Sequence, residues 1–215
     1  MDCICPSLIC ANHLNLQRDL QVLADLKIKK IHFDVMDNIF VPRFGLYPEQ
    51  AEGIAKNFQF DIDVHLMVSN PYNATTKFAK VGATSVTVHA ETSTCISNLL
   101  KFIKSYGLKT GVAFNPETSI DKLLDLKEKP DHVCLMFINP GVLNSKVYDC
   151  YEKIHKIRKY YPSMKIQIDG GVTFESAPKL LECGASELVC GSATLFKTTE
   201  GNISEQYLKL LKVIS

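Results

Sequence analysis

The 215-residue chain has almost no net charge and no long apolar run. Its 24 Lys and Arg residues nearly balance 23 Asp and Glu, which gives a formal net charge of +1. This balance provides no basic surface for nucleic acid or an anionic membrane, so we expect neither as a partner. No apolar run approaches the ~20 residues that cross a bilayer. No basic segment precedes an apolar stretch near Met1, so we expect no secretory signal and a cytoplasmic protein.

The sequence also lacks a CxxC pair, although it has eight cysteines. Cys3 and Cys5 form only a CxC pair, and Cys134 and Cys190 lie inside apolar, strand-like segments. A chain with 46% hydrophobic residues can build a core without disulfides. We therefore expect free, buried thiols in a reducing compartment and no thiolate metal site.

No linker, low-complexity segment or block of like charge divides the chain, which predicts one domain over residues 1–215. Short β-prone segments alternate with longer amphipathic segments. The predicted strands are Ile4–Ile9, Lys30–Val35, Asp61–Met67, Ser85–His89, Lys109–Phe114, His132–Phe137, Lys165–Asp169 and Glu187–Cys190. The predicted helices are Leu14–Leu26, Pro48–Lys56, Tyr72–Val81, Cys95–Tyr106, Ser119–Leu126, Val147–Tyr160, Phe174–Cys183 and Ile203–Ile214.

Eight strand-then-helix units predict a parallel sheet, because parallel neighbours need a crossover connection. An open doubly wound sheet would also satisfy this alternation. Eight repeats with polar residues clustered after the strands favour a single-domain α/β fold of the (β/α)8 TIM-barrel type, with its active site at the C-terminal ends of the strands.

Four polar residues near the ends of the predicted strands alternate with apolar neighbours: His32, Asp34, His65 and Asp169. Period-2 geometry places such residues on one face of each strand. Mixed imidazole and carboxylate ligands suit Zn²⁺, Fe²⁺, Mn²⁺ or Co²⁺ better than Mg²⁺ or Ca²⁺. The sequence therefore predicts one divalent metal ion bound by these four residues.

Two of these ligands can also transfer protons. Asp34 and Asp169 come from the second and seventh predicted strands and would approach a substrate from opposite sides. An acid and a base on opposite faces of one carbon could epimerise it through an enediolate that the metal stabilises. The alternative is that both aspartates are only ligands.

Two glycine-containing turns after the last two strands predict a phosphate site. Gly170 and Gly171 follow the seventh strand, and Gly191 and Ser192 follow the eighth. Backbone N–H groups there can approach an anion, and a short helix after the eighth strand would add its positive N-terminus. Three methionines near strand ends suggest an apolar wall that excludes water, although core packing would also explain them. They are Met36, Met67 and Met136.

Together these segments resemble the ribulose-phosphate 3-epimerase family over essentially the whole chain. Matching segments run in order from PSL at 6–8, through HFDVMD, FVP, DVHLMV, VHAE, NP, LM…NPG and DGGV, to GSATLF at 191–196. The resemblance implies a barrel of the ribulose-phosphate-binding type. It also implies a homo-oligomer whose substrate is a ketose phosphate, with D-ribulose 5-phosphate converted to D-xylulose 5-phosphate.

The resemblance also implies roles for individual residues. The metal ligands would be His32, Asp34, His65 and Asp169, with Asp34 and Asp169 as the catalytic pair. The substrate contacts would be Ser7, His65, Met36, Met67, Met136 and Gly141. The phosphate contacts would be Gly170, Gly171, Gly191 and Ser192.

The enclosure of the substrate departs from the family pattern. The family's NPGFGGQ loop is replaced by NPGVLNS at 139–145, which changes the flexibility and hydrogen bonding of a lid, and Arg43 follows Pro42. These departures keep open a paralogue acting on another ketose phosphate, such as D-allulose 6-phosphate, and a barrel that only binds a sugar phosphate. A decarboxylase on the same fold is disfavoured, because DVHLMV has no lysine in the DxKxxD position.

Overall fold

The computed structural model describes residues 3–93, 95–142, 145–197 and 202–215, and it confirms the predicted barrel. Within these ranges eight strands alternate with eight α-helices. The strands are β1 (Ile4–Pro6), β2 (Lys30–Met36), β3 (Asp61–Met67), β4 (Ala83–His89), β5 (Lys109–Phe114), β6 (His132–Met136), β7 (Lys165–Asp169) and β8 (Glu187–Cys190). The helices are α1 (Leu16–Asp25), α2 (Pro48–Asn57), α3 (Pro71–Ala79), α4 (Ile96–Lys104), α5 (Asp121–Leu124), α6 (Tyr151–Tyr160), α7 (Ser176–Glu182) and α8 (Ile203–Ile214).

Parallel pairing runs continuously around the sheet. From β2 to β8 each strand pairs with its neighbours in sequence, and β8 pairs with β1. The sheet closes where Ser7, just after β1, forms a parallel bridge with His32 of β2. The C-terminal ends of all eight strands therefore surround one mouth.

The first strand is shorter than the predicted Ile4–Ile9. It ends at Pro6, and Leu8–Cys10 forms a 3-10 helix. The reason lies in its partner, because β8 ends at Cys190 and a turn follows it. Ser7 donates the last hydrogen bond of this ladder, from its N–H to the Cys190 carbonyl at 3.0 Å. Ser7 consequently lies at the rim of the barrel.

The fifth and sixth helices differ most from the prediction, and each is four residues shorter. The fifth spans only Asp121–Leu124. The sixth begins at Tyr151 instead of Val147, because Val147 forms an antiparallel bridge with Ile138. Val147 thus pairs with Ile138, two residues beyond β6, before the helix starts.

The short helix expected after β8 is absent from the residues described up to Lys197. Ser192–Phe196 form turns instead. The N–H groups of Thr194 and Phe196 both donate to the Gly191 carbonyl, at 3.1 and 3.2 Å. No helix dipole therefore supports a phosphate site at this point.

The apolar core lies between the barrel and its helices, and the barrel interior is polar. Phe33 and Val64 alternate with the inward residues of their strands and pack among buried helix residues such as Phe78. Inside, Gln167 of β7 reaches Asp63 of β3 across the barrel, with Nε2 2.8 Å from Oδ2. The buried polar side chains on the inward faces of the strands include His32, Asp63, His65, Ser85, Thr87, His89, His132 and Gln167.

The eight cysteines are unpaired, as expected. Cys5, Cys134, Cys150 and Cys190 are buried, but Cys95 is exposed, so the prediction of burial is wrong for that residue. In the described part of the chain, no helix is both long and apolar enough to cross a membrane.

Candidate active site

The four predicted metal ligands converge at the mouth of the barrel. His32 and Asp34 come from β2, His65 from β3 and Asp169 from β7, and each can offer one donor atom within 4.8 Å of the other three. His32 Nε2 lies 3.2 Å from His65 Nδ1, which lies 3.1 Å from Asp169 Oδ2. All four side chains are buried. The alternation of polar and apolar residues on these strands therefore identified one real cluster.

Ser7 orients one of the aspartates. Its hydroxyl donates to Asp34 Oδ2 at 2.7 Å. This bond leaves Asp34 Oδ1 facing the imidazoles, 3.4 Å from His32 Nε2 and 3.8 Å from His65 Nδ1. The contact was not foreseen, because sequence reasoning assigned Ser7 to the substrate alone.

Asp63 holds His32 from the opposite side. Asp63 Oδ2 lies 3.2 Å from His32 Nδ1 and accepts from Gln167, while Oδ1 accepts from Ser85. Burial raises the pKa of Asp63, but Lys30 and the bond from His32 hold that pKa well below its usual range. An ionised carboxylate only accepts hydrogen bonds, so His32 Nδ1 donates to it. In the neutral ring the lone pair is then on Nε2, which faces the centre.

A longer chain of contacts lies behind His65. His65 Nε2 is 2.9 Å from His89 Nε2, and His89 Nδ1 is 3.3 Å from Glu91 Oε2. Burial lowers the pKa of His89, which favours its neutral form. Burial raises the pKa of Glu91, but hydrogen bonds from His89 and Thr118 lower it to about 2. Each imidazole of the centre is thus connected to a carboxylate outside it.

The chemistry of the centre fits a divalent cation. Two carboxylates and two imidazoles face one point, and the set is the mixed one that Zn²⁺, Fe²⁺, Mn²⁺ and Co²⁺ accept. The electrostatics agree with this fit. Burial lowers the pKa of His32, but Asp34 and Asp169 raise it well above its ordinary value. The centre therefore attracts positive charge.

A second group of possible donors, Cys5, His32 and Asp63, lies beneath the first. Burial raises the pKa of the Cys5 thiol to about 12, which favours its neutral form. Asp63 is already engaged by hydrogen bonds on both oxygens. Asp63 therefore serves in this structure as the partner of His32 Nδ1.

A cleft of about 280 Å³ opens above the four donors. Its walls contain every predicted substrate and phosphate residue except His65, which lies deeper, in the centre itself. They are Ser7, Met36, Met67, Met136, Gly141, Gly170, Gly171, Gly191 and Ser192. Arg43 and Cys10 also line the cleft. Of the altered loop, Leu143 and Asn144 lie outside the described residues, so the predicted change in the lid stays a prediction.

Gly170 is required by the shape of the loop after β7. Its φ of +86° falls in the left-handed region, and a Cβ there would meet Ile138 Cγ1 at 2.3 Å. No larger residue fits without moving the loop. The backbone can therefore border the cleft closely, which is the geometry that anion binding by N–H groups needs.

A larger cavity, of about 1000 Å³, opens at the N-terminal ends of the strands. Lys30, Gln167 and Glu187 line it, together with His132. It contains none of the predicted ligands, and active sites of this fold lie at the other end. The smaller cleft is therefore the candidate active site.

Sequence reasoning missed the partners behind the two imidazoles. Asp63 stands in the same alternating pattern as His65, and His89 in the same pattern as Thr87. That signal identifies inward-facing residues, but it does not say which inward residues touch. His89 and Glu91 lie in the VHAE segment, for which the family resemblance implied no individual roles.

The closed barrel and the buried His and Asp cluster at its mouth define a (β/α)8-barrel enzyme. Residues 3–195 match the model of the ribulose-phosphate 3-epimerase family. A ribulose-phosphate 3-epimerase of Buchnera aphidicola subsp. Acyrthosiphon pisum (strain APS) is 37% identical over 200 residues, covering 90% of this chain and 87% of that protein. One of Bacillus subtilis (strain 168) is 34% identical over 196 residues, covering 88% and 90%. The chain belongs to the ribulose-phosphate 3-epimerase family, whose members are isomerases acting on carbohydrates.

Solved structures agree on the fold. A 3-hexulose-6-phosphate synthase from Salmonella typhimurium superposes with a TM-score of 0.76 at 15% identity, covering 99% of this chain and 98% of that one. A mutant tryptophan synthase α-subunit from Pyrococcus furiosus gives 0.71 at 16% identity, covering 98% of each chain. At these identities the likeness shows the barrel and carries no information about the reaction.

Proposed function

We propose that the protein is a metal-dependent ketose phosphate 3-epimerase that interconverts D-ribulose 5-phosphate and D-xylulose 5-phosphate. Family membership and the names of the relatives support the reaction class and this substrate. The observation that carries the mechanism is the position of Asp34 and Asp169. They come from β2 and β7, yet both reach one buried centre beneath the cleft.

In this mechanism one aspartate removes the proton from carbon 3 of the ketose. The C–H electrons move toward carbon 2 and its carbonyl becomes the oxyanion of an enediolate. The other aspartate, in its acid form, returns a proton to the opposite face of carbon 3, and the roles reverse for the reverse reaction. Ser7 supports this role of Asp34 by fixing one carboxylate oxygen at 2.7 Å.

His32, Asp34, His65 and Asp169 would hold one divalent ion, Zn²⁺, Fe²⁺, Mn²⁺ or Co²⁺. When bound, such an ion supplies Lewis-acid stabilisation of negative charge on substrate oxygens.

The remaining cleft residues would bind the substrate and exclude water. The methionine wall of Met36, Met67 and Met136 is half-buried or buried and borders the two aspartates. The phosphate would lie against the backbone of Gly170, Gly171, Gly191 and Ser192, with Gly141 on the facing loop.

Arg43 supports one alternative, a paralogue for a different ketose phosphate such as D-allulose 6-phosphate. Its half-buried side chain lines the cleft, and no carboxylate of the described residues pairs with it. A free guanidinium at that position could bind an additional hydroxyl or the phosphate.

The test is proton NMR in D2O of the metal-loaded protein, with D-ribulose 5-phosphate and then with D-allulose 6-phosphate. We expect deuterium at carbon 3 and accumulation of the epimer with the first sugar. Faster exchange with the second would favour the paralogue, and no exchange with either would leave a barrel that only binds a sugar phosphate.

Asparagine variants test the two aspartates in the same assay. Asp34→Asn and Asp169→Asn should each lower kcat about 10²–10⁴-fold, the usual contribution of acid–base catalysis. Asp121→Asn, on the exposed surface of α5, is the control and should keep full activity. Full activity of either site variant would contradict the two-aspartate mechanism.

Two further properties are part of the proposal. The free thiols support a reducing compartment such as the cytoplasm. The family resemblance supports a homo-oligomer, which light scattering of the purified protein would test.

A further inference from the structure

The ring contact behind His65 connects the catalytic centre to a carboxylate in the next loop. His65 and His89 are nearly parallel, with 10° between the rings and centroids 4.9 Å apart. Their Nε2 atoms are 2.9 Å apart, so the rings meet through these atoms. On the far side of His89, Nδ1 lies 3.3 Å from Glu91 Oε2. Both rings are fully buried, and Glu91 is about one-fifth exposed, at 20% of its side chain.

The three side chains form a series of hydrogen bonds from His65 through His89 to Glu91. The directions of these bonds follow from the last member, Glu91. Glu91 Oε1 accepts from the N–H of Asn115 at 3.0 Å, and Oε2 faces His89 Nδ1. A carboxylate has no proton to give, so His89 Nδ1 donates and a neutral His89 accepts at Nε2. His65 must then donate from Nε2, so that a metal ion bound between Asp169 and His32 would meet the lone pair of His65 Nδ1.

We propose that Glu91 is a positioning residue that, through His89, keeps His65 in the tautomer able to bind a metal ion at Nδ1. Glu91 touches none of the four ligands itself. The inference rests on the metal centre of the proposed function, and it adds two residues that act on that centre from outside.

Glu91→Gln should reverse the direction of both hydrogen bonds, from residue 91 to His89 and from His89 to His65, with little change in the shape of the side chain. The glutamine carbonyl can accept from Asn115, but the amide then offers an N–H to His89 Nδ1. His89 must respond by carrying its proton on Nε2. His65 would accept at Nε2 and carry a proton on Nδ1, where it blocks the metal.

The experiment measures metal affinity and tautomer, without relying on turnover. Affinity for Zn²⁺ and Co²⁺ is measured by competition with a chelator, and the His89 tautomer by ¹⁵N NMR of histidine-labelled protein. We expect Glu91→Gln to bind either metal about 10–100-fold more weakly, the range for loss of an outer partner. The His89 signals should change from an Nδ1–H to an Nε2–H pattern. The matched control is Thr92→Val in the same loop, which removes the hydroxyl bonded to the His89 carbonyl at 2.8 Å and should leave both readouts unchanged.

A second pair of variants keeps the test decisive if Glu91→Gln fails to fold. His89→Gln can donate to Glu91 and accept from His65, so it should retain most of the affinity. His89→Leu can do neither and should bind as weakly as Glu91→Gln. Equal affinity of these two variants, or wild-type affinity and an unchanged His89 tautomer in Glu91→Gln, would overturn the inference. A wild-type protein that binds no metal would instead overturn the proposed centre, so the two failures are distinguishable.

Discussion

Replacing Lys30 will show that burial, and not distance, decides the strength of an ion pair in this barrel. Lys30 Nζ lies 2.6 Å from Glu187 Oε2, and the two side chains are 26% and 15% exposed. Lys156 Nζ lies at the same 2.6 Å from Asp121 Oδ1, but those side chains are 41% and 57% exposed. Lys30→Met and Lys156→Met therefore remove an ammonium group at one distance from two different environments.

The expected losses in the free energy of unfolding differ severalfold between Lys30→Met and Lys156→Met. Lys30 also lies 3.4 Å from Asp63 Oδ2, which is fully buried, so Lys30→Met leaves two carboxylates without their cation. Breaking a buried pair in this way costs about 3–5 kcal/mol, whereas an exposed pair contributes about 0–1 kcal/mol. We expect Lys30→Met to lower the free energy of unfolding by about 3 kcal/mol. This is the lower end of the range for a buried pair, because Asp63 keeps its hydrogen bonds from His32, Ser85 and Gln167. For a domain of this size the loss corresponds to about 6–12 °C in Tm.

The assay is calorimetric and urea unfolding of both variants and the wild type in the presence of a chelator. Removing metal is necessary because a bound ion would itself raise Tm and mask the comparison. The double variant Lys30→Met, Glu187→Met should recover part of the loss, since it removes one of the uncompensated charges. Equal Tm shifts for Lys30→Met and Lys156→Met would refute the reasoning.

Three further predictions concern the cleft. Gly170→Ala places a Cβ against Ile138 at positive φ, and about 1–2 kcal/mol of strain in this loop should raise KM for a ketose phosphate about tenfold in steady-state kinetics. Ser7→Ala leaves Asp34 without its donor, so kcat should fall about 5–100-fold at unchanged KM; a rise in KM alone would favour a substrate contact instead. Removing the metal with a chelator from a protein kept at a free metal concentration of about 100 times Kd should lower the free energy of unfolding by ~2.7 kcal/mol, and an unchanged Tm after verified metal loss would contradict a structural contribution of the ion.

The convergence of the four predicted ligands could be predicted because two regular features of the sequence coincide at these residues. Alternation along β2, β3 and β7 places His32, Asp34, His65 and Asp169 on inward faces, and parallel strands bring their C-terminal ends to one mouth. Ser7 was harder to interpret. Its contact with Asp34 joins residues 27 positions apart, and it depends on where β1 ends, which its partner strand determines.

The outer partners could not be predicted, because they depend on strand register. The observed register places His32 opposite Asp63 and Asp34 opposite His65 across β2 and β3. A shift by one residue would turn every side chain of a strand to its other face. A shift by two would keep the alternation but separate His32 from Asp63. Nothing local in the sequence distinguishes these cases, so the pattern predicts an inward face without predicting its contacts.

The same register joins the two ends of the barrel. Lys30 and Glu187 begin β2 and β8, Asp63 bonds both Lys30 and His32, and His32 faces the centre at the opposite end. In (β/α)8 enzymes the N-terminal end usually serves stability and the C-terminal end catalysis. Here one imidazole takes part in both, because its Nδ1 belongs to the buried ion network and its Nε2 to the catalytic centre. We therefore expect changes to Lys30 to alter metal affinity as well as stability, because Asp63 connects Lys30 to His32.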